Sequence, residues 1–195
     1  RHPSWGYLLY DTIVVWSDRL ARYFKLHHQD VKRYVEVGCL WAEHVRHLKD
    51  SGRSLALRAG LKEAGWREGQ KIVSVFPTWY HDEGLFTRND LMTFLSDIGR
   101  LLEDFPDIFV IVKEKAPRWL FPGQDPAAVY RVFEELARHP RCIAPGSARS
   151  VSEIVAQSDL VVGFPFSSVP VEAISARIPA IFHDATSKFR GTYYD

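Results

Sequence analysis

Two serines and two lysines are the side chains of this sequence best suited to hold a phosphate. Ser167 and Ser168 stand together before a predicted helix, so their hydroxyls would join free backbone N–H groups and the positive end of the helix dipole. Lys113 and Lys115 lie on one side of an extended segment and offer two ammonium groups. Glu172, one turn into the helix, has the right chemistry to accept hydrogen bonds from sugar hydroxyls. Together these residues predict a phosphate pocket.

Each of these signals also has a purely structural interpretation. A Ser-Ser pair before a helix commonly acts as an N-cap, and a Lys-Glu-Lys run is commonly a solvated strand end. Glu172 is also a favourable first-turn carboxylate. Position favours the functional interpretation, because the serines and the lysines follow two different predicted strands. In open parallel sheets, ligands bind beyond the carboxyl ends of the strands.

The loop after another predicted strand carries further titratable groups. Its sequence from residue 77 to residue 84 is PTWYHDEG. His81 and Asp82 are the candidates for a general base in this loop. The alternative interpretation is an ordinary acidic loop without a catalytic role. Four histidines elsewhere, at positions 27, 28, 44 and 47, lack a matching carboxylate motif. His44 and His47 are spaced as neighbours on one helix face, which favours a solvated surface over a metal site. We therefore predict no metal.

The elements that must position these residues alternate between strand and helix. Short apolar and β-branched runs predict strands at 12–16, 33–37, 71–76, 108–113, 142–144, 160–163 and 180–183. Helical spacing predicts helices at 17–28, 41–65 with a break at 51–52, 90–105 with Asn89 as N-cap, 125–138, 150–157 and 169–176. Alternation of this kind is typical of βαβ units. The predicted fold class is α/β, with a parallel sheet and helices on both of its faces.

Composition excludes several classes of protein. The chain has 195 residues, 46% of them hydrophobic, and a formal net charge of +1, which argues against nucleic-acid binding. Its longest apolar runs, 108–112 and 160–166, are too short for a transmembrane segment. Cys39 and Cys142 lack metal-binding spacing and suit a reducing cytosol. The chain starts at Arg1 and shows no signal-like segment, so we expect part of a longer protein.

The last third of the chain resembles a known family. Residues 150–184, SVSEIVAQSDLVVGFPFSSVPVEAISARIPAIFHD, are similar to the donor-binding half of GT-B glycosyltransferases, above all those of bacterial surface-carbohydrate and capsule biosynthesis. KIVSVFPTWY, from residue 71, resembles the first strand and loop of such a C-terminal domain. Residues 12–38 resemble the last strands of the preceding domain. Related CDP-glycerol and sialyl transferases have His-Pro where this sequence has Lys113-Glu114-Lys115.

The resemblance implies a Rossmann-like fold, and it implies separate donor-binding and catalytic roles for the site residues. Residues 1–50 would be the end of the N-terminal domain, and residues 51–195 the C-terminal domain that binds a nucleotide-sugar. Thr78, Lys113, Lys115, Ser167, Ser168 and Glu172 would bind the donor nucleotide, and His81 and Asp82 would be the local catalytic candidates. Glu172 would hold hydroxyls of the donor rather than act as a base. The paired-Glu subclass of retaining enzymes is disfavoured, because Phe164 stands at its acidic position.

The implied function is transfer of a sugar from a CMP-, CDP- or UDP-linked donor to a bacterial surface polysaccharide. No cofactor beyond the nucleotide-sugar is expected. The expected partners are the donor, a glycan or lipid-linked acceptor and the remainder of the same polypeptide, without which this chain would be inactive. We expect a cytoplasmic location, either free in the cytoplasm or peripherally bound to the inner membrane. Two alternatives stay open: a sugar-nucleotide epimerase of the same fold, and a non-catalytic nucleotide-binding or scaffolding module.

Overall fold

A computed structural model describes residues 10–27, 31–78, 86–114, 127–145, 149–165, 167–188 and 190. Strands and helices alternate along most of this part of the chain, as the sequence predicts. In chain order the elements are β1 (Thr12–Val15), α1 (Asp18–His27), β2 (Arg33–Glu36), α2 (Leu40–Asp50), α3 (Arg53–Ala59), β3 (Lys71–Phe76), α4 (Arg88–Asp104), β4 (Ile108–Val112), α5 (Ala127–Ala137), β5 (Cys142–Ile143), α6 (Val151–Gln157), β6 (Leu160–Gly163), α7 (Val169–Ser175) and β7 (Ala180–Phe182).

The strands form two parallel sheets. β1 and β2 pair with each other in a two-stranded sheet, and the other five strands form a sheet in the order β5-β4-β3-β6-β7. Every strand pair is parallel, so all carboxyl ends of the larger sheet lie at one edge. β3 is central, with β4 on one side and β6 on the other. The predicted α/β class with a parallel sheet is confirmed.

The alternation of side chains along β3 divides the core into two layers. Val73 and Val75 pack with α4 and α5 on one face of the sheet. Ile72 and Phe76 pack on the other face, in a cluster to which α2, α6 and α7 contribute. Both layers are apolar and closely packed, which is the arrangement expected when helices cover both faces of a parallel sheet.

Helix α2 packs with the larger sheet. Its buried residues Ala42, Val45 and Leu48 belong to the same cluster as Ile72 of β3. Trp41, at the start of α2, also meets Trp16 from the end of β1, with ring centroids 5.1 Å apart. The division of the chain at residue 50 stays a prediction, but any boundary has to leave α2 attached to the five-stranded sheet.

Two capping boxes fix helix starts on the edge that carries the strand carboxyl ends. The Ser150 hydroxyl accepts a hydrogen bond from the Glu153 backbone N–H, and the Glu153 carboxylate accepts one from the Ser150 backbone N–H. The predicted N-cap of α4 is wrong: Thr87, not Asn89, caps it, and Asp90 completes the box. The α4 helix therefore begins earlier than the apolar spacing alone indicates.

Candidate functional site

The start of α7 lies directly against the end of β6. A Cβ atom on Gly163 would stand 2.2 Å from Cγ of Pro170, so only glycine permits this approach. Ser167 is also close, its Cβ lying 3.6 Å from the same point, and its backbone N–H bonds to the Phe164 carbonyl at 3.1 Å. Phe164 packs on the opposite face against Phe94, at a centroid distance of 5.0 Å. The loop that carries the serines is thus anchored on both faces of the sheet.

Lys113 belongs to the same edge and the same face of the sheet. The register pairs Val75 with Val112 and Phe76 with Gly163, so Lys113 stands beside Phe76. Its backbone N–H extends the ladder by bonding to the Val75 carbonyl at 2.9 Å. Two strand spacings separate Lys113 from Gly163, about 10 Å. The Lys113 side chain is only 8% exposed, so a cation lies largely buried within reach of the serine loop.

Ser168 occupies the N-cap position of α7 but does not act as a cap through its side chain. Its hydroxyl makes no capping hydrogen bond, and its backbone is helical, with φ −74° and ψ −20°. Its carbonyl accepts the Glu172 backbone N–H at 3.1 Å. The structural interpretation of the Ser-Ser pair as an N-cap is therefore not realised at Ser168.

Glu172 is held between two helices that begin on this edge. Its carboxylate is 7% exposed and accepts a hydrogen bond of 2.9 Å from the Ser152 hydroxyl in the first turn of α6. Burial raises the pKa of Glu172, while the Ser152 hydrogen bond and the charge of His44 on α2 lower it. The net shift is upward, because loss of hydration disfavours the carboxylate more than its partners stabilise it.

Not every predicted site residue lies in the described part of the chain. Thr78 lies two residues beyond β3, half-buried, at the same sheet edge as Lys113 and the serines. Lys115, His81 and Asp82 fall outside the described residues. The structure thus groups Thr78, Lys113, Ser167 and Ser168 at one edge, with Glu172 one turn deeper in α7. Within the described ranges, no group of three or more His, Cys, Asp or Glu residues could hold a metal ion.

Sequence reasoning missed the partners of Glu172. Ser152 lies twenty positions before Glu172 in the sequence. The two side chains meet only because α6 packs against α7. The sequence predicts a solvated helix face for His44, and His44 is exposed, but it also lies near enough to Glu172 to lower the pKa of that carboxyl. Neither relation has a local sequence signature, because both depend on helices meeting over the sheet.

Solved structures with the same fold include several carbohydrate-related enzymes. The wall teichoic acid polymerase TagF, in a crystal soaked with CDPG, matches at TM-score 0.62 and 14% identity, over 95% of this chain and 40% of that chain. The UDP-GlcNAc 2-epimerase of Neisseria meningitidis matches at 0.52 and 11%, over 80% and 40%. The UDP-forming trehalose-phosphate synthase of Burkholderia xenovorans matches at 0.51 and 12%, over 93% and 48%. The chain spans less than half the length of each.

At such identities these likenesses show the fold, which is Rossmann-like and of the GT-B type. No curated protein matches the chain. None of the helices in the described ranges is long and apolar enough to cross a membrane. The family model of the polysaccharide biosynthesis PFTS motif proteins matches residues 1–195, the whole chain. The resemblance to proteins of polysaccharide biosynthesis is thereby confirmed, and the chain belongs to the PFTS motif family of polysaccharide biosynthesis proteins.

Proposed function

We propose that this chain is the donor-binding part of a glycosyltransferase. It binds a nucleotide-sugar at the carboxyl edge of the five-stranded sheet, and the sugar passes to a growing surface polysaccharide. Membership of a polysaccharide biosynthesis family supports the pathway. The fold shared with TagF and with a UDP-forming synthase supports a nucleotide-linked donor, CMP-, CDP- or UDP-linked.

The observation that supports the proposal most strongly is that the buried cation Lys113 lies at the same sheet edge as the loop with Ser167 and Ser168. Lys113 and Ser167 lie on one face and one edge of the sheet, separated by two strand spacings. A lysine that is only 8% exposed is a largely buried cation, and charge-assisted hydrogen bonds from such a cation to a phosphate are strong. The family is named for a PFTS motif, and the sequence from Pro165 to Ser168 is PFSS. A serine in place of threonine keeps the hydroxyl.

Each site residue has a role in this proposal. Lys113, Ser167, Ser168 and Thr78 stabilise the negative charge that develops on the nucleotide phosphate as the bond to the anomeric carbon breaks. Glu172 accepts hydrogen bonds from hydroxyls of the donor, and Ser152 orients it. Lys115 would add a second cation, and His81 or Asp82 a local base; all three lie outside the described residues. Protein cations would then stabilise the leaving group without a metal or another cofactor.

The proposal also includes the acceptor and the part of the active site that lies outside this chain. The acceptor is a glycan or lipid-linked saccharide, and the opposing wall of the cleft comes from the remainder of the polypeptide. β1 and β2 would belong to that first domain. Two free cysteines support a reducing compartment, hence the cytoplasm, with the inner membrane as the place where the acceptor is met.

The test is nucleotide-induced stabilisation of the chain. Melting temperatures are measured with CMP, CDP, UDP and GDP, since a ligand of the folded state raises stability by mass action. We expect one of these nucleotides to raise the Tm. The increase should disappear in Ser167→Val and persist in Ser167→Thr, because valine and threonine have the same branched shape and only threonine keeps the hydroxyl. Ser96→Ala, on the exposed face of α4, is the matched control. Unchanged nucleotide binding in both Ser167→Val and Lys113→Met would refute the site.

The epimerase of the same fold is the competing activity. Membership of a polysaccharide biosynthesis family favours transfer. Incubating the full-length protein with UDP-GlcNAc in the absence of acceptor separates the two. Epimerised product would establish the epimerase, acceptor-dependent release of nucleotide would establish the transferase, and nucleotide binding without either would indicate a scaffolding module.

A further inference from the structure

A cavity lies at the end of the five-stranded sheet opposite to the serine loop. Its volume is about 340 Å³, and its wall includes Arg58, Lys62, Trp66, Lys71 and Asp159; we call it the Trp66 cavity. Lys71 is the first residue of β3, and five steps of about 3.3 Å separate it from Phe76 at the other end, about 16 Å. The cavity is therefore distinct from the candidate donor site. Its volume suits one or two sugar rings.

Positive charge exceeds negative charge by one on the wall of this cavity, because Arg58, Lys62 and Lys71 face the carboxylates of Glu68 and Asp159, three cations to two anions. Asp159 is already satisfied: one oxygen pairs with Arg58 at 2.9 Å, and the other accepts the Ile72 backbone N–H at 2.8 Å. Lys62 stands 3.8 Å from Glu68, whose side chain is 89% exposed, so that pair is weak. Lys71 forms no ion pair with any residue that the structure describes. Two ammonium groups are thus available to an anion.

Trp66 is fixed in place without a ligand. Its indole N–H donates to the Gln70 carbonyl at 3.2 Å, and its backbone N–H donates to the Leu61 carbonyl at 3.0 Å. The Gln70 side chain in turn accepts the Arg67 backbone N–H at 2.8 Å, which closes the turn. The ring packs partly on the core and partly lines the cavity. A rigid aromatic surface costs little entropy when an apolar sugar face packs against it.

We infer that the Trp66 cavity binds an anionic saccharide unit, a sugar ring that carries a carboxylate or a phosphate. Lys62 and Lys71 contact the charged group, and the Trp66 ring contacts the sugar. The natural source of such a unit is the polysaccharide on which this family acts. Binding at a point remote from the donor site keeps the polymer on the protein between additions, because a tethered chain has a high effective concentration at the second site.

The test uses an α2,8-linked sialic acid hexamer as the anionic probe and maltohexaose as the neutral one. Binding to the chain is measured by calorimetry and by the indole N–H resonance of Trp66, which is assigned by its loss in Trp66→Phe. We expect the sialic acid hexamer to bind and to shift that resonance, and maltohexaose to bind far more weakly. Replacing Lys62 and Lys71 with Gln should weaken binding about tenfold. The control pair Lys32→Gln and Lys49→Gln, both exposed and outside the cavity wall, should leave it unchanged.

Three results would overturn the inference. Equal binding of both oligosaccharides, unaffected by the Lys62 and Lys71 substitutions, would show that charge plays no part. Inorganic phosphate that binds as tightly as the hexamer would show a simple anion site. Displacement of the hexamer by CDP or UDP would place it in the donor site. Hexamer binding that persists in Ser167→Val separates this inference from the proposed function, since each can then fail alone.

Discussion

The Ser152 hydroxyl on α6 donates a hydrogen bond of 2.9 Å to the Glu172 carboxylate on α7. This contact joins the first turns of two short helices that both begin beyond the carboxyl ends of strands. It orients a carboxylate that burial would otherwise disfavour. A buried carboxylate lowers the stability of the unliganded fold. Residues that destabilise the fold in this way are typical of binding sites, where they contribute to ligand affinity.

Glu172→Gln should therefore stabilise the unliganded chain and weaken nucleotide-sugar binding. Because burial raises the pKa of Glu172, the folded chain holds this proton more tightly than the unfolded chain does. The stability of the native chain must then fall as pH rises from the usual glutamate value of 4.5 through the raised one. Glutamine still accepts from Ser152 and has no such dependence.

The measurement is the Tm of both proteins between pH 4 and pH 8. The gain of Glu172→Gln should be largest at neutral pH and vanish near pH 4, where both side chains are neutral. Ser152→Ala, which removes the compensating hydrogen bond, should steepen the decline of stability with pH. A lower Tm for Glu172→Gln at pH 7 would contradict the assignment of burial as the dominant influence.

Gly163→Ala should destabilise the chain and displace the serine loop. The added methyl group would meet Pro170 at 2.2 Å, and overpacking of this kind costs about 1–3 kcal/mol. Gly99→Ala in α4 is the matched control, because nothing lies within 4 Å of its added methyl group. In a helix interior that change should stabilise by about 0.5–1 kcal/mol. Denaturant unfolding measures both, and equal effects of the two substitutions would contradict the close packing.

Gln157→Met should raise stability by about 1–2 kcal/mol. Both polar atoms of the Gln157 side chain are buried, and neither has a hydrogen-bond partner in the part of the chain that the structure describes. Methionine fills similar volume without leaving a polar group unsatisfied. Gln70→Met, whose side chain loses a hydrogen bond from Arg67, should give no gain. A loss of stability in Gln157→Met would show that its amide is satisfied by water.

The two cysteines should differ in reactivity toward a thiol reagent at pH 8. Burial raises the pKa of Cys142 to about 12, so its thiolate is scarce as well as inaccessible. Cys39 is only partly buried. We expect one rapid reaction per folded chain, absent in Cys39→Ser, and a second only on unfolding. Rapid labelling of Cys142 in the folded Cys39→Ser variant would show that β5 opens readily.

The strands were the most predictable part of this fold. β3 and β6 occupy the predicted residues, because each is a short apolar run with a clear boundary, such as Pro77 after β3. The start of α4 is less predictable, because its apolar periodicity begins at Leu91 whereas the capping box of Thr87 and Asp90 starts the helix at Arg88. The position of Lys113 on the same edge as the serines followed from the parallel sheet alone.

The site is less predictable than the fold, for a physical reason. Glu172 accepts its hydrogen bond from Ser152 because α6 packs against α7. The spacing of residues along the sequence does not predict this packing. The Trp66 cavity likewise arises where α3, the following turn and the start of β3 meet. The sequence signals individual residues, and the pairings between them come from tertiary contacts.

The central position of β3 has a consequence for biosynthesis. One neighbour, β4, follows after one helix, whereas Val73 pairs on the other side with Leu160, which leaves the ribosome much later. Until β6 emerges, a nascent chain presents one edge of the six-residue apolar strand β3 with unpaired backbone groups. Exposed strand edges pair with strands of other chains, and pairing between strands that are far apart in the sequence is slow. Chains truncated before residue 160 should therefore aggregate, and the cell has to shield this edge while the second half is translated.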